Sequence, residues 1–200
     1  MDDQSLNLAP ERLQHLVDEA GIKRRDFIKN SGLILGSAFI ASAMAPNILL
    51  AKLQHRDSID KKLKLYNRHT GESLDVVFCT PEGYCTKGLD AIDKLMRDHR
   101  RNIKVPMDIK LIEGLYKLSL LLGRNLPIEV VCGFRTYFTN KQIRAVGESY
   151  HMKGQAVDIR IQGIQTAHLQ KAAKLVKIGG VGYYPRAKFV HMDTGDIRFW

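Results

Sequence analysis

Tryptophan occurs once in these 200 residues, cysteine three times and proline six times. So few cysteines exclude a disulfide-dense secreted scaffold, and none of their spacings is C-x-x-C, which removes a thioredoxin-like motif or a cysteine zinc site. The longest apolar run, Ser31 to Ala43, is about 13 residues against the roughly 20 that a comfortable transmembrane helix needs, and a retained anchor that draws in Ile48-Leu49-Leu50 as well is the alternative. There is no internal repeat and no low-complexity tract. What remains is an ordinary globular composition, 44% hydrophobic and 8% aromatic, sized for one domain with a modest appendage.

Acidic residues are also short, leaving a formal charge of +10. The first 45 residues hold five basic against six acidic side chains, so the excess lies in the remaining body. A basic body attracts polyanions: nucleic acid, an anionic membrane face or an acidic cell-wall polymer. A solvated basic surface is the plain alternative.

Lys23-Arg24-Arg25-Asp26-Phe27-Ile28-Lys29 resembles a twin-arginine export signal. The apolar run Ser31 to Ala43 follows, and Ala43-Met44-Ala45 fits an A-x-A cleavage site, so the mature chain is expected to start at Pro46. We therefore expect a signal peptide over 1–45, a linker over 46–60 and a folded domain over 61–200. Export implies passage through the twin-arginine translocase, residence in the periplasm and no stable membrane span in the mature form. In that oxidising compartment Cys79 and Cys85, either side of a Pro- and Gly-containing turn, are placed for a local bridge. Cys132 reads as a buried strand thiol.

Along the body, Leu63–Tyr66 and Leu74–Cys79 predict a hairpin around His69-Thr70-Gly71-Glu72. Leu89, Ile92, Leu95 and Met96 predict one helix, and Asp108 caps a second that ends near Gly123. Ile128–Cys132 and Ala156–Ile161 read as strands. Thr139–Val146 and Thr166–Ile178 read as helices, and Lys188–Met192 as a closing strand after Gly179-Gly180-Val181-Gly182. The order predicts an α+β domain with a mostly antiparallel sheet and flanking helices.

The chemistry concentrates in two segments. In Ser149-Tyr150-His151-Met152-Lys153-Gly154-Gln155-Ala156-Val157-Asp158 a turn histidine is followed by a glycine and then by a carboxylate entering a strand. Farther on, alternation in Phe189-Val190-His191-Met192-Asp193 points His191 and Asp193 to one face. His151, Asp158 and His191 make three nitrogen and oxygen ligands with one position left for water, the arrangement of catalytic zinc.

Ser149-x-His151-x-x-Gly154-x-Ala156-x-Asp158 resembles the motif of the D-Ala-D-Ala metallopeptidases, whose superfamily includes lysostaphin-like enzymes and the hedgehog signalling domain. The chain is more similar still to the MepK family of murein endopeptidases of Gram-negative bacteria. That likeness runs through His69-Thr70-Gly71-Glu72, Gly133-Phe134-Arg135-Thr136, Gly179–Arg186 and Phe189–Gly195. It implies one zinc ion per chain on His151, Asp158 and His191. It also implies hydrolysis of peptidoglycan peptide cross-links, D-Ala–diaminopimelate or diaminopimelate–diaminopimelate, in wall growth or remodelling.

Arg135 is the candidate to hold the carbonyl oxygen or a substrate carboxylate, and Ser149 to position substrate or a ligand. Many relatives carry a glutamate three residues before the last histidine; here that position is Lys188, which cannot serve as a carboxylate base. Asp193 is the leading substitute, with Glu148 and Tyr184 behind it. Two alternatives stay open at this level: a non-catalytic zinc-containing wall-binding protein, and a D,D- or L,D-carboxypeptidase. A nucleic-acid role has no motif and is opposed by the export signal. His15, His55, His69, His99 and His168 read as surface or turn residues.

Overall fold

The computed structural model describes residues 60–123 and 126–200. The expected signal peptide, and the expected linker up to residue 59, lie outside the described residues. β1 (Lys61–Asn67) and β2 (Ser73–Thr80) form the expected hairpin, and Gly71 takes a φ of 72° at its turn. A two-residue β3 (Gly83–Tyr84) adds to β2, an element the sequence reading had left inside a turn. α1 (Thr86–Leu95) and α2 (Ile109–Leu122) follow, α2 starting where the Asp108 carboxylate accepts the Lys110 amide at 2.8 Å.

β4 (Ile128–Cys132) leads to α3 (Tyr137–Gln142), which begins earlier than expected because Thr136, not Thr139, is its cap. A single 3-10 turn (Tyr150–Lys153), β5 (Ala156–Arg160) and α4 (Thr166–Val176) come next. The left-handed Lys177 ends α4 two residues short of the predicted Ile178. β6 (Val181–Tyr184) occupies the glycine-rich stretch not foreseen as a strand, and β7 (Phe189–Asp193) completes the sheet.

The strands lie in the order β3-β2-β1-β4-β5-β7-β6, with only β1 and β4 parallel. This is the expected α+β architecture with a mostly antiparallel sheet. One face supplies Leu63, Leu65, Val130, Val157, Ile159, Val190 and Met192 to the core, where they meet Leu111, Leu115 and Leu118 of α2 and Leu169 of α4. Alternation therefore turns Asp158 and His191 to the other face, away from α2 and α4. That split positions the site.

The Cys79–Cys85 bridge that the sequence left open is not formed: both are free thiols. Cys79 pairs with Tyr84 in the β2–β3 ladder and packs toward the core, while Cys85 has moved on to the residue before α1. No helix among the described residues is long and apolar enough to cross a membrane.

Candidate metal centre

Strand register assembles the floor of the site. Cys132 of β4 stands opposite Asp158 of β5, Asp158 opposite His191 of β7, and His191 opposite Gly182 of β6. A side chain at Gly182 would collide with the Trp200 indole, so glycine there admits Trp200 beside His191, with ring centroids 5.5 Å apart.

His151 arrives from the 3-10 turn. Ser149 caps that turn, and Gly154 closes it in the left-handed region at φ 68°, where a Cβ would lie 2.7 Å from the Pro106 carbonyl. Only glycine suits both the dihedral and the contact. This close passage lets the chain fold back so that His151 overhangs β5.

His151 Nε2, His191 Nδ1 and Asp158 Oδ1 then form a triangle with sides of 3.2, 2.8 and 3.3 Å. The other nitrogen of each ring is engaged outside it. His151 Nδ1 lies 2.7 Å from the Gly133 carbonyl, and His191 Nε2 lies 3.0 Å from Asp193 Oδ2. A carbonyl can only accept, so His151 carries its proton on Nδ1; the Asp193 carboxylate selects the Nε2 proton of His191 in the same way. Three lone-pair atoms are thereby turned toward one point. Donors about 2.0–2.1 Å from a tetrahedral cation are about 3.3 Å from one another, so this spacing fits a small divalent ion.

The charges are arranged to match. Burial opposes ionisation of Asp158, yet His151 and His191 hold its carboxyl well below the usual range. For His191, burial disfavours the cation, but Asp158 and Asp193 together raise its pKa.

Cys132 Sγ lies close enough to His151 and Asp158 to be counted with them as a possible metal group. Burial, with the Asp158 charge beside it, pushes that thiol up to about 12. Cys132, His151 and Asp158 thus form a second three-donor set beside the one with His191, whose outer nitrogen is already held by Asp193. The sequence reading placed Cys132 in the strand but not on this row; its period-two register with Asp158 becomes visible only once β4 and β5 pair.

The structure places the remaining candidates as follows. The Arg135 Nη2 donates to Ser149 Oγ at 3.0 Å, and its Nε is buried with no partner among the described residues. Asp193 is wholly buried. Its oxygens accept from His191, from the Gly180 and Gly195 amides, and twice from Arg198. Burial opposes its charge, but these donors hold its carboxyl well below the usual range. Glu148 and Tyr184 line a groove of about 540 Å³ beside the triangle, together with Arg135, Tyr150 and Trp200. Lys188 is exposed, in a left-handed turn before β7.

A second groove, of about 260 Å³, starts from the same Arg135, Asp158 and Phe189 and runs the other way toward His69 and His99. A cleft that continues past the reacting centre on both sides accommodates a bond in the middle of a chain.

Comparison with known proteins identifies the family. The chain is 36% identical to the peptidoglycan L,D-endopeptidase MepK of Escherichia coli (strain K12) over 189 residues, covering 92% of this chain and all of that protein. It is 38% identical to the probable peptidoglycan L,D-endopeptidase MepK of Haemophilus influenzae over 178 residues, covering 86% and 95% respectively. A family profile described as peptidoglycan L,D-endopeptidase MepK matches residues 56–200, and the chain belongs to that family of peptidoglycan-cleaving peptidases.

Proposed function

We propose that the protein is a periplasmic, zinc-dependent murein endopeptidase that cuts L,D-peptide bonds in peptidoglycan cross-links. Of the two bonds expected from the sequence, the L,D-endopeptidase character of the relatives favours the diaminopimelate–diaminopimelate link. Family membership makes the chain a peptidase, not the non-catalytic wall-binding protein that Lys188 had raised. The observation that carries the metal assignment is the triangle of His151, Asp158 and His191, with both outer ring nitrogens already engaged.

Zinc held there supplies Lewis acidity and the acidification of water that peptide hydrolysis requires. The protein's own groups do the rest. Gly133 and Asp193 hold the two imidazoles in the ligating tautomer and orientation. Asp193 has no lone pair turned to the cleft, since backbone amides, His191 and Arg198 occupy it. It is therefore a positioning residue, in place of the base expected from the sequence. Arg135, held by Ser149, aims a guanidinium at the edge shared by both grooves, where it stabilises negative charge on the scissile carbonyl. Glu148 and Tyr184 are the groove groups able to exchange a proton with the reacting bond.

The expected twin-arginine signal over 1–45, the linker over 46–60 and the catalytic domain over 61–200 complete the reading. They give the translocase as a transient partner and the wall as the lasting one. A positive body suits a polymer rich in carboxylates.

Digestion of purified sacculi by native protein and by His151→Ala, with mass spectrometry of the released muropeptides, tests the activity. Native protein releases monomers from diaminopimelate–diaminopimelate dimers and the variant does not. Equal release by both, or none by either, refutes the reading. Replacing Arg24 and Arg25 by lysine and following the protein by cell fractionation tests the export route.

A further inference from the structure

The groove that leaves the metal centre on the β4 side shares Asp158 and Cys132 with it, and the rest of its lining has a chemistry of its own. His69, from the β1–β2 turn, and His99, from the loop after α1, stack face to face with centroids 4.3 Å apart and planes 13° from parallel. His69 Nε2 lies 3.0 Å from the Val131 carbonyl, which anchors the pair to β4. Arg97, Arg100 and Arg135 also line the groove, against two carboxylates, Asp98 and Asp158.

Both carboxylates are committed. Asp98 accepts from the Thr136 amide and hydroxyl and from the Arg100 amide, and Asp158 faces the two histidines. Among the cations, Arg97 is neutralised by Glu72 at 2.6 Å. The Arg100 guanidinium has no hydrogen-bond or ion-pair partner among the described residues, and the Arg135 Nε is buried and unpartnered. A groove so lined presents unspent positive charge from two side chains, Arg135 and Arg100.

We propose that this groove is a subsite for a carboxylate-bearing arm of the cross-linked peptide, with Arg100 receiving the carboxylate and the His69–His99 stack forming the wall along which the arm lies. The inference rests on the endopeptidase reading and deepens it: the groove on the Trp200 side takes one arm, this groove takes the other, and Arg100 selects an acidic arm over an uncharged one. A free carboxylate on guanidinium forms a charge-assisted, bidentate pair that an amide cannot reproduce.

The test uses two synthetic peptide dimers joined through diaminopimelate, one with its side-chain carboxylate free and one with it amidated. Full-length mature protein and its Arg100→Gln variant are compared on both. The wild type is expected to prefer the free acid about tenfold in kcat/KM. Arg100→Gln is expected to raise KM for the free acid about tenfold with kcat within about twofold, and to treat the two dimers alike. Arg100 is exposed, so the variant should keep the wild-type melting temperature and metal content; a variant that loses either is replaced by Arg100→Lys, which should retain part of the preference. If wild type and Arg100→Gln cleave both dimers with the same discrimination, the subsite is refuted while the endopeptidase stands. If the wild type cleaves neither dimer, the endopeptidase reading falls and the subsite falls with it.

Discussion

His191 donates its Nε2 proton to Asp193 across 3.0 Å, and that carboxylate is itself wholly buried and bonded to two backbone amides and Arg198. The pair leaves His191 with one fixed lone pair, on Nδ1, turned toward His151 and Asp158. Asp193→Asn keeps the volume but weakens the acceptor and adds a donor among donors. Such outer partners are typically worth about 10- to 100-fold in metal affinity or activity. We expect a zinc Kd raised by that factor, read by competition with a chromogenic chelator. Unchanged zinc affinity would contradict the positioning role.

Arg135 combines charge with a planar fork. Arg135→Lys retains the charge but cannot donate to Ser149 and the substrate in the same way. The expected loss is about 10²-fold in kcat, the scale of losing one donor to a developing oxyanion. Zinc content should be unaltered, and this separates the residue from the ligands.

The metal-free protein should carry a particular pH signature. Asp158 and Asp193 have depressed pKa values, so their contribution to stability is present above about pH 4 and is lost as pH falls below it. His191 is raised, so its contribution is complete below about pH 6.5 and is lost as pH rises through its folded value. Chelator-treated protein is therefore expected to melt at progressively lower temperature from pH 6 to pH 9. Added zinc should cancel the fall. A flat or rising melting temperature over that interval, without metal, would show that the His191 clamp is not formed.

Gly154 combines a left-handed φ with a neighbouring carbonyl that a Cβ would strike. Gly154→Ala should cost about 2 kcal/mol or more of stability from the dihedral and the crowding together. It should also reduce zinc occupancy, because the turn sets His151 over Asp158. Calorimetry and metal analysis of one preparation read both effects.

Cys132 is held as a neutral thiol by burial. At pH 8 it should resist a thiol reagent in the folded protein and react once the protein is unfolded in guanidinium. Labelling of native Cys132 at the rate of a free thiol would place its sulfur in solvent.

Much of the fold was legible because the sequence is locally consistent. Asp108 and Gly123 bracket α2 as a cap and a stop, and Ile128–Cys132 carries strand residues with no competing signal. β3 and β6 were missed because two residues before Cys85, and a run of glycines, carry little intrinsic strand preference; pairing with β2 and β7 makes them strands.

The three residues proposed as ligands were visible in the chain itself. The spacing from His151 through Gly154 to Asp158, and the alternation around His191, are local properties of a turn entering a strand and of a strand with one covered face. The roles that depend on partners were not. Asp193 shares a strand face with His191, which suggested a base, but only the approach of Gly180, Gly195 and Arg198 shows where its lone pairs go. His69 and His99 lie thirty residues apart and read as unrelated surface residues until the β1–β2 turn meets the loop after α1. Spacing along one element can be read from residue order because backbone geometry is regular there; contacts between elements depend on how the sheet closes, and only the tertiary structure decides that.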